Sequence, residues 1–167
     1  MQKKVLSEQL LIYDNVSMPQ GFEINNDKLL GDNLESLYLE KEFPFSKTWD
    51  MLNTYIKEHV NLKYSYNLVN KKTWGSVYKP QERTFPLLDV DPVDFKNSPD
   101  FTCLYGVKVK ECSIRIHYDD NRRKNRSWDI DLKDNKFIMF PSINKYTISN
   151  YQKNSLNYIQ TITYEYY

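Results

Sequence analysis

Apolar and polar positions along the chain follow a helical spacing once and a strand spacing many times. Ser46 precedes Trp49, Leu52, Ile56 and Val60. These apolar residues, three and four apart, form one stripe of a 3.6-residue period, and serine is a good cap for the first turn. The spacing predicts a helix over 47–60 with its stripe packed on a sheet. Over 1–41 the short apolar pieces Val5-Leu6, Leu10-Leu11-Ile12 and Leu29-Leu30 are separated by the turn signals Met18-Pro19-Gln20-Gly21 and Asn25-Asn26-Asp27. That reads as one or two short strands with loops. After the helix, strand-like segments follow at 63–69, 74–79, 102–108, 113–118, 127–132, 137–140, 145–149 and 157–166, with 102–108 and 113–118 read as a hairpin about Lys110-Glu111. Short strands separated by turns in a helix-poor half indicate an antiparallel sandwich or jelly roll, so the expected class is mostly β with one or two helices. At 167 residues and 20.1 kDa a single domain is expected, with N-terminal strands and a packing helix over 1–62 and the jelly-roll core over 63–167.

Composition supports this picture. Alanine is absent, glycine occurs 4 times and aromatic residues make up 15%, which disfavours both a helical bundle and a glycine-rich nucleotide-binding fold. Twenty-three basic against 22 acidic residues leave a formal charge of +1, so no global field draws the protein to nucleic acid or to an anionic membrane. With a mean hydropathy of -0.71 and only short apolar runs, neither a membrane span nor a secretory signal is expected. Cys103 and Cys112 make neither a disulfide framework nor a zinc site; they read as reduced, partly buried thiols, with a cross-strand bridge as the alternative. The stretch 80–99 carries Pro80, Pro86, Pro92 and Pro99 with Asp89, Asp91 and Asp94. Long irregular connections of this kind are commonly functional or mobile. The Asn/Lys/Tyr/Ile-rich usage resembles translation of a very AT-rich genome.

Four segments in order resemble a known family. Trp74-Gly75-Ser76-Val77-Tyr78-Lys79 is similar to the strand that opens the catalytic domain of the iron(II)/2-oxoglutarate-dependent dioxygenases, in the small versions encoded by tailed phages. Phe101-Thr102-Cys103-Leu104-Tyr105-Gly106-Val107-Lys108 and Ser113-Ile114-Arg115-Ile116-His117-Tyr118-Asp119-Asp120 resemble the next two family strands. Asp134-Asn135-Lys136-Phe137-Ile138-Met139-Phe140-Pro141-Ser142 resembles the family's Glu-Gly-x-x-x-x-Phe-Pro-Ser, which precedes the distal metal-binding histidine. The resemblance covers 74–167 and implies a double-stranded β-helix.

The chemistry of that family requires two histidines and a carboxylate on one face of iron(II), and a cation for the far carboxylate of 2-oxoglutarate. By the resemblance, the first metal motif should fall within Phe85-Pro86-Leu87-Leu88-Asp89-Val90-Asp91, which offers two carboxylates and no histidine. The distal histidine position is Tyr146, whose phenol ordinarily ionises only near pH 10. The arginine should stand near Asn157 or Tyr158, and no Arg or Lys follows Lys153. The chain thus reads as a degenerate member without catalytic residues, metal or cofactor. An active hydroxylase would have to use an atypical set such as Asp89, Asp91 and His117 with Fe(II) and 2-oxoglutarate. A small-molecule or sugar-binding jelly roll is a third reading. The expected role is that of a structural or assembly component of a tailed-phage virion, in the particle or the host cytoplasm. Its partners would be other virion proteins or further copies of itself. The basic turn Arg122, Arg123, Lys124 and Arg126 and the tail tyrosines Tyr164 and Tyr166 are the candidate contact residues.

Overall fold

The computed structural model describes residues 1–4, 9–40, 42–119 and 125–167. Its elements in chain order are β1 (Ile12–Asn15), α1 (Asn26–Leu39), α2 (Lys47–Tyr64), β2 (Leu68–Tyr78), β3 (Phe101–Lys108), β4 (Cys112–Asp119), β5 (Asn125–Leu132), β6 (Lys136–Pro141), β7 (Lys145–Asn150) and β8 (Asn157–Tyr166). The strands form an antiparallel five-stranded sheet in the order β1-β6-β3-β8-β2 and a three-stranded sheet in the order β5-β4-β7. The expected mostly β jelly roll is what the chain adopts.

Side-chain alternation assigns each strand two faces. On the large sheet, Phe101, Cys103, Tyr105, Phe137, Met139, Ile162 and Tyr164 point to the helices and pack with Trp49, Leu52, Ile56 and Val60 of α2 and Leu29 of α1. Leu104, Ile138, Phe140 and Ile159 point the other way and meet Ile114, Ile116, Leu132, Tyr146 and Ile148 of the small sheet. Because helices cover the outer face of the large sheet, β3 is buried at seven consecutive positions, a continuous run rather than an alternation. The two cysteines belong to these different cores and are both free, so no bridge joins them. Burial pushes the Cys112 thiol up to about 12.

The structure corrects several expectations. Residues 26–39 form a helix where the sequence suggested strands and loops. Asn25 caps α1 by accepting from the Lys28 amide at 3.0 Å, but the face turned to the sheet is Leu29, Asp32 and Asn33, so no apolar stripe marks it. Helix α2 begins at its Ser46 cap as expected and runs to Tyr64, and β2 starts only at Leu68, so 63–69 is not a strand of its own. β3 and β4 are not a hairpin. After Lys108 the chain crosses from the large sheet to the small one, with Glu111 in the left-handed region at φ 46°. The connection 80–99 is not wholly irregular, because Arg83 and Leu87 pair with Ser149 and Tyr146 and add a further lane beside β7. Strand β1 joins the large sheet along β6. No helix among the described residues is long and apolar enough to cross a membrane.

Candidate site at the mouth of the jelly roll

The lane beside β7 is held by backbone bonds. Thr84 donates to Ile148 at 2.9 Å, Leu87 to Tyr146 at 2.7 Å, Tyr146 back to Leu87 at 3.0 Å, and Asn150 to Glu82 at 2.8 Å. Strand periodicity then puts Leu87 and Asp89 on the same side as Tyr146. The Tyr146 phenol donates to Asp89 Oδ2 at 2.9 Å, and the Thr102 hydroxyl donates to the same oxygen at 2.9 Å. Thr102 Oγ1 also lies 2.9 Å from Ser142 Oγ. A hydroxyl has one hydrogen, and that of Thr102 is directed at Asp89, so Ser142 is the donor to Thr102. The chain Ser142, Thr102, Asp89, Tyr146 links β3, the turn after β6, the 80–99 segment and β7.

Electrostatics fix the protonation of this chain. Burial raises the Asp89 carboxyl, against the two hydrogen bonds, which favour its charged form. Burial and the Asp89 charge together hold the Tyr146 phenol far above its ordinary value, and burial takes neighbouring Tyr78 up to about 12. Tyr146 therefore stays a neutral hydrogen-bond donor.

These residues do not fit a ferrous centre. Leu87 has no donor atom, Tyr146 offers a protonated phenol already given to Asp89, and Asp89 alone supplies a carboxylate. At the start of β8, Asn157 is fully buried and its amide exchanges two hydrogen bonds with the Lys110 backbone, both 3.0 Å. That position holds a neutral strut and no cation for a dicarboxylate. The atypical set is not brought together either. Asp91 accepts from the Val93 amide at 2.8 Å while its own amide donates to Ser98, so it shapes a turn. His117 lies on the outer face of β4, 3.0 Å from Thr147 Oγ1, because Ile116 beside it takes the inner face. Among the described residues no three His, Cys, Asp or Glu side chains are close enough to hold a metal ion.

The contact candidates divide. Arg122, Arg123 and Lys124 lie outside the described residues, and Arg126 is exposed on β5. Tyr164 is not a surface residue: it is fully buried and its hydroxyl donates to Asn53 of α2 at 2.8 Å, because even positions of β8 face the helices. Tyr166, one period further, is 47% exposed and sits edge-on to Tyr66 at 5.1 Å. Thr102 and Ser142 were not singled out from the sequence. A strand threonine carries no distinguishing signal, and Ser142 was read only as the end of Phe-Pro-Ser.

Comparison with known proteins is structural alone, since no protein-family model and no curated protein matches the sequence. The non-heme α-ketoglutarate-dependent epimerase SnoN from nogalamycin biosynthesis superposes with a TM-score of 0.65 at 10% identity, over 92% of this chain and 76% of its own. A Pseudomonas putida prolyl-4-hydroxylase gives 0.61 at 10% identity, over 93% and 84%. The viral collagen prolyl hydroxylase of Paramecium bursaria Chlorella virus-1 gives 0.59 at 17% identity, over 91% and 94%. The fold is that of the 2-oxoglutarate oxygenase jelly rolls. At such identities the likeness speaks for the scaffold, and chemistry must be argued from the site.

Proposed function

We propose that this protein is a non-catalytic, dioxygenase-like jelly roll that acts through protein contacts as a structural or assembly component of a tailed-phage virion. The observation that carries the non-catalytic part is the pairing of Leu87 with Tyr146 and of the Tyr146 phenol with Asp89, where an oxygenase of this fold would present imidazoles to iron. A neutral phenol whose proton is given to a half-buried carboxylate ties β7 to the 80–99 segment and is no ligand for iron. The viral setting is supported by the likeness of four segments to small phage-encoded versions, by the Asn/Lys/Tyr/Ile-rich composition, and by a viral enzyme among the proteins that share the fold. Contacts are assigned to the basic turn around Arg126 and to Tyr166 at the end of β8.

The reading is tested on purified particles from an infected culture by mass spectrometry, with the solution mass of the isolated chain measured in parallel. The chain is expected as a stoichiometric particle component. Its presence in infected cells but absence from particles would contradict the assembly role. Replacing Arg122, Arg123 and Arg126 together with serine should reduce incorporation while leaving the thermal midpoint of the isolated chain unchanged, because the turn is assigned to contacts with partners and not to the core.

A further inference from the structure

Two cavities adjoin at the rim of the small sheet, next to the Asp89 chain, since Phe140 in the wall of one packs against Tyr146 at 5.2 Å. One, about 460 Å³, is walled by Leu10, Leu11, Ile116 and Phe140, with Tyr13 and Trp128 at its edge. The other, about 430 Å³, is lined by His117, Arg126 and Lys145 together with Pro86 and Ile143. Gln9, Tyr118 and Asn144 line both, so the two form one cleft with an apolar half and a basic half. No Asp or Glu stands among its described lining residues.

The shared wall is built by hydrogen bonds. Asn144 Nδ2 donates to Gln9 Oε1 at 3.0 Å, and Trp128 Nε1 donates to the Tyr118 hydroxyl at 3.1 Å, which orients an indole that is 54% exposed. The basic half lies in a positive field. Besides its partial burial, Arg115, Arg83 and Lys145 all disfavour the charged His117 imidazole, and only Asp129 opposes them. Asp129 is itself engaged by Arg115 through two bonds of 2.7 and 2.9 Å.

We propose that this cleft binds a small anion carrying a flat apolar group, an aryl phosphate or aryl carboxylate. Its ring would lie against Trp128 and Tyr13, and its charge would face Lys145, Arg126 and His117. A flat ring suits aromatic walls, a cation beside a partly desolvated imidazole suits an oxyanion, and the cleft has the size of an ordinary small-molecule site. The proposal stands whether or not the protein is a virion component.

The test is a proton NMR titration of the full chain with phenyl phosphate, inorganic phosphate and phenol in turn. It follows the C2 protons of His117 and His59, the two histidines of the chain, and the Trp128 indole proton. Phenyl phosphate is expected to bind at least about tenfold tighter than either fragment. It should raise the His117 pKa, because a bound anion favours the imidazolium, and leave His59 unmoved. Trp128→Ala is expected to reduce phenyl phosphate to the affinity of inorganic phosphate, and Lys145→Gln to weaken both anions. Equal affinity for phosphate and phenyl phosphate, equal shifts at both histidines, or no saturable shift at millimolar ligand would each overturn it.

Discussion

Asp89 has a half-buried carboxyl whose Oδ2 receives the Tyr146 and Thr102 hydroxyls, so the environment that penalises its charge also supplies two donors to hold it. Tyr146→Phe keeps the ring against Phe140 and removes one donor. It should cost about 1–3 kcal/mol, read as a lower urea midpoint at unchanged slope. The pH dependence follows from the direction of the Asp89 shift. A carboxyl raised above its ordinary 3.8 holds its proton more tightly folded than unfolded, so its contribution is most favourable in acid and is lost as pH rises through the raised value. The stability of the wild type relative to Asp89→Asn should therefore decline as pH rises from about 4 toward neutrality; a difference that grows over that range would contradict the assignment. Asp89 and Tyr146 were legible in the sequence because their positions follow from the Phe-Pro-Ser tripeptide and the spacing after β2. Their bond to each other was not, since nothing in either segment states which hydroxyl reaches which oxygen.

Helix α2 was legible because its sheet-facing stripe is apolar and Ser46 accepts from the Trp49 amide at 3.3 Å. Helix α1 was not, because it faces the sheet with Asp32 and Asn33. Turn signals were also hidden. Glu40, Ser65, Gln81, Glu111 and Asn135 occupy left-handed positions where glycine would have announced an element's end. Two of the four glycines, Gly75 and Gly106, serve close approach instead. A Cβ at Gly106 would collide with the Lys133 carbonyl, and one at Gly75 would strike the Asn33 side chain of α1. Gly106→Ala should destabilise by about 1–3 kcal/mol or more, because the obstacle is backbone. Gly75→Ala should cost less, because a side chain can turn away, and its effect should be confined to α1 in hydrogen exchange. Ser46→Ala should lower stability by about 1 kcal/mol through the lost cap.

For the molecule as a whole, the fold is that of the oxygenase jelly rolls, while the positions that the sequence resemblance would give to metal and cosubstrate ligands carry Leu87, Tyr146 and Asn157. The scaffold was readable from strand periodicity and four short segments. The crossing from β3 to β4 was not, because adjacency in sequence favours a hairpin and only the packed sheets reveal the switch. If metal binding is lacking solely because of those side chains, Leu87→His with Tyr146→His rebuilds a His-x-Asp and distal His set around Asp89, and the folded double variant should gain cobalt(II) binding visible in its absorption spectrum. The most direct test of the central claim is anaerobic calorimetric titration of the wild-type chain with iron(II) followed by 2-oxoglutarate. No saturable heat from either is predicted, whereas one equivalent of iron and micromolar 2-oxoglutarate binding would contradict the account.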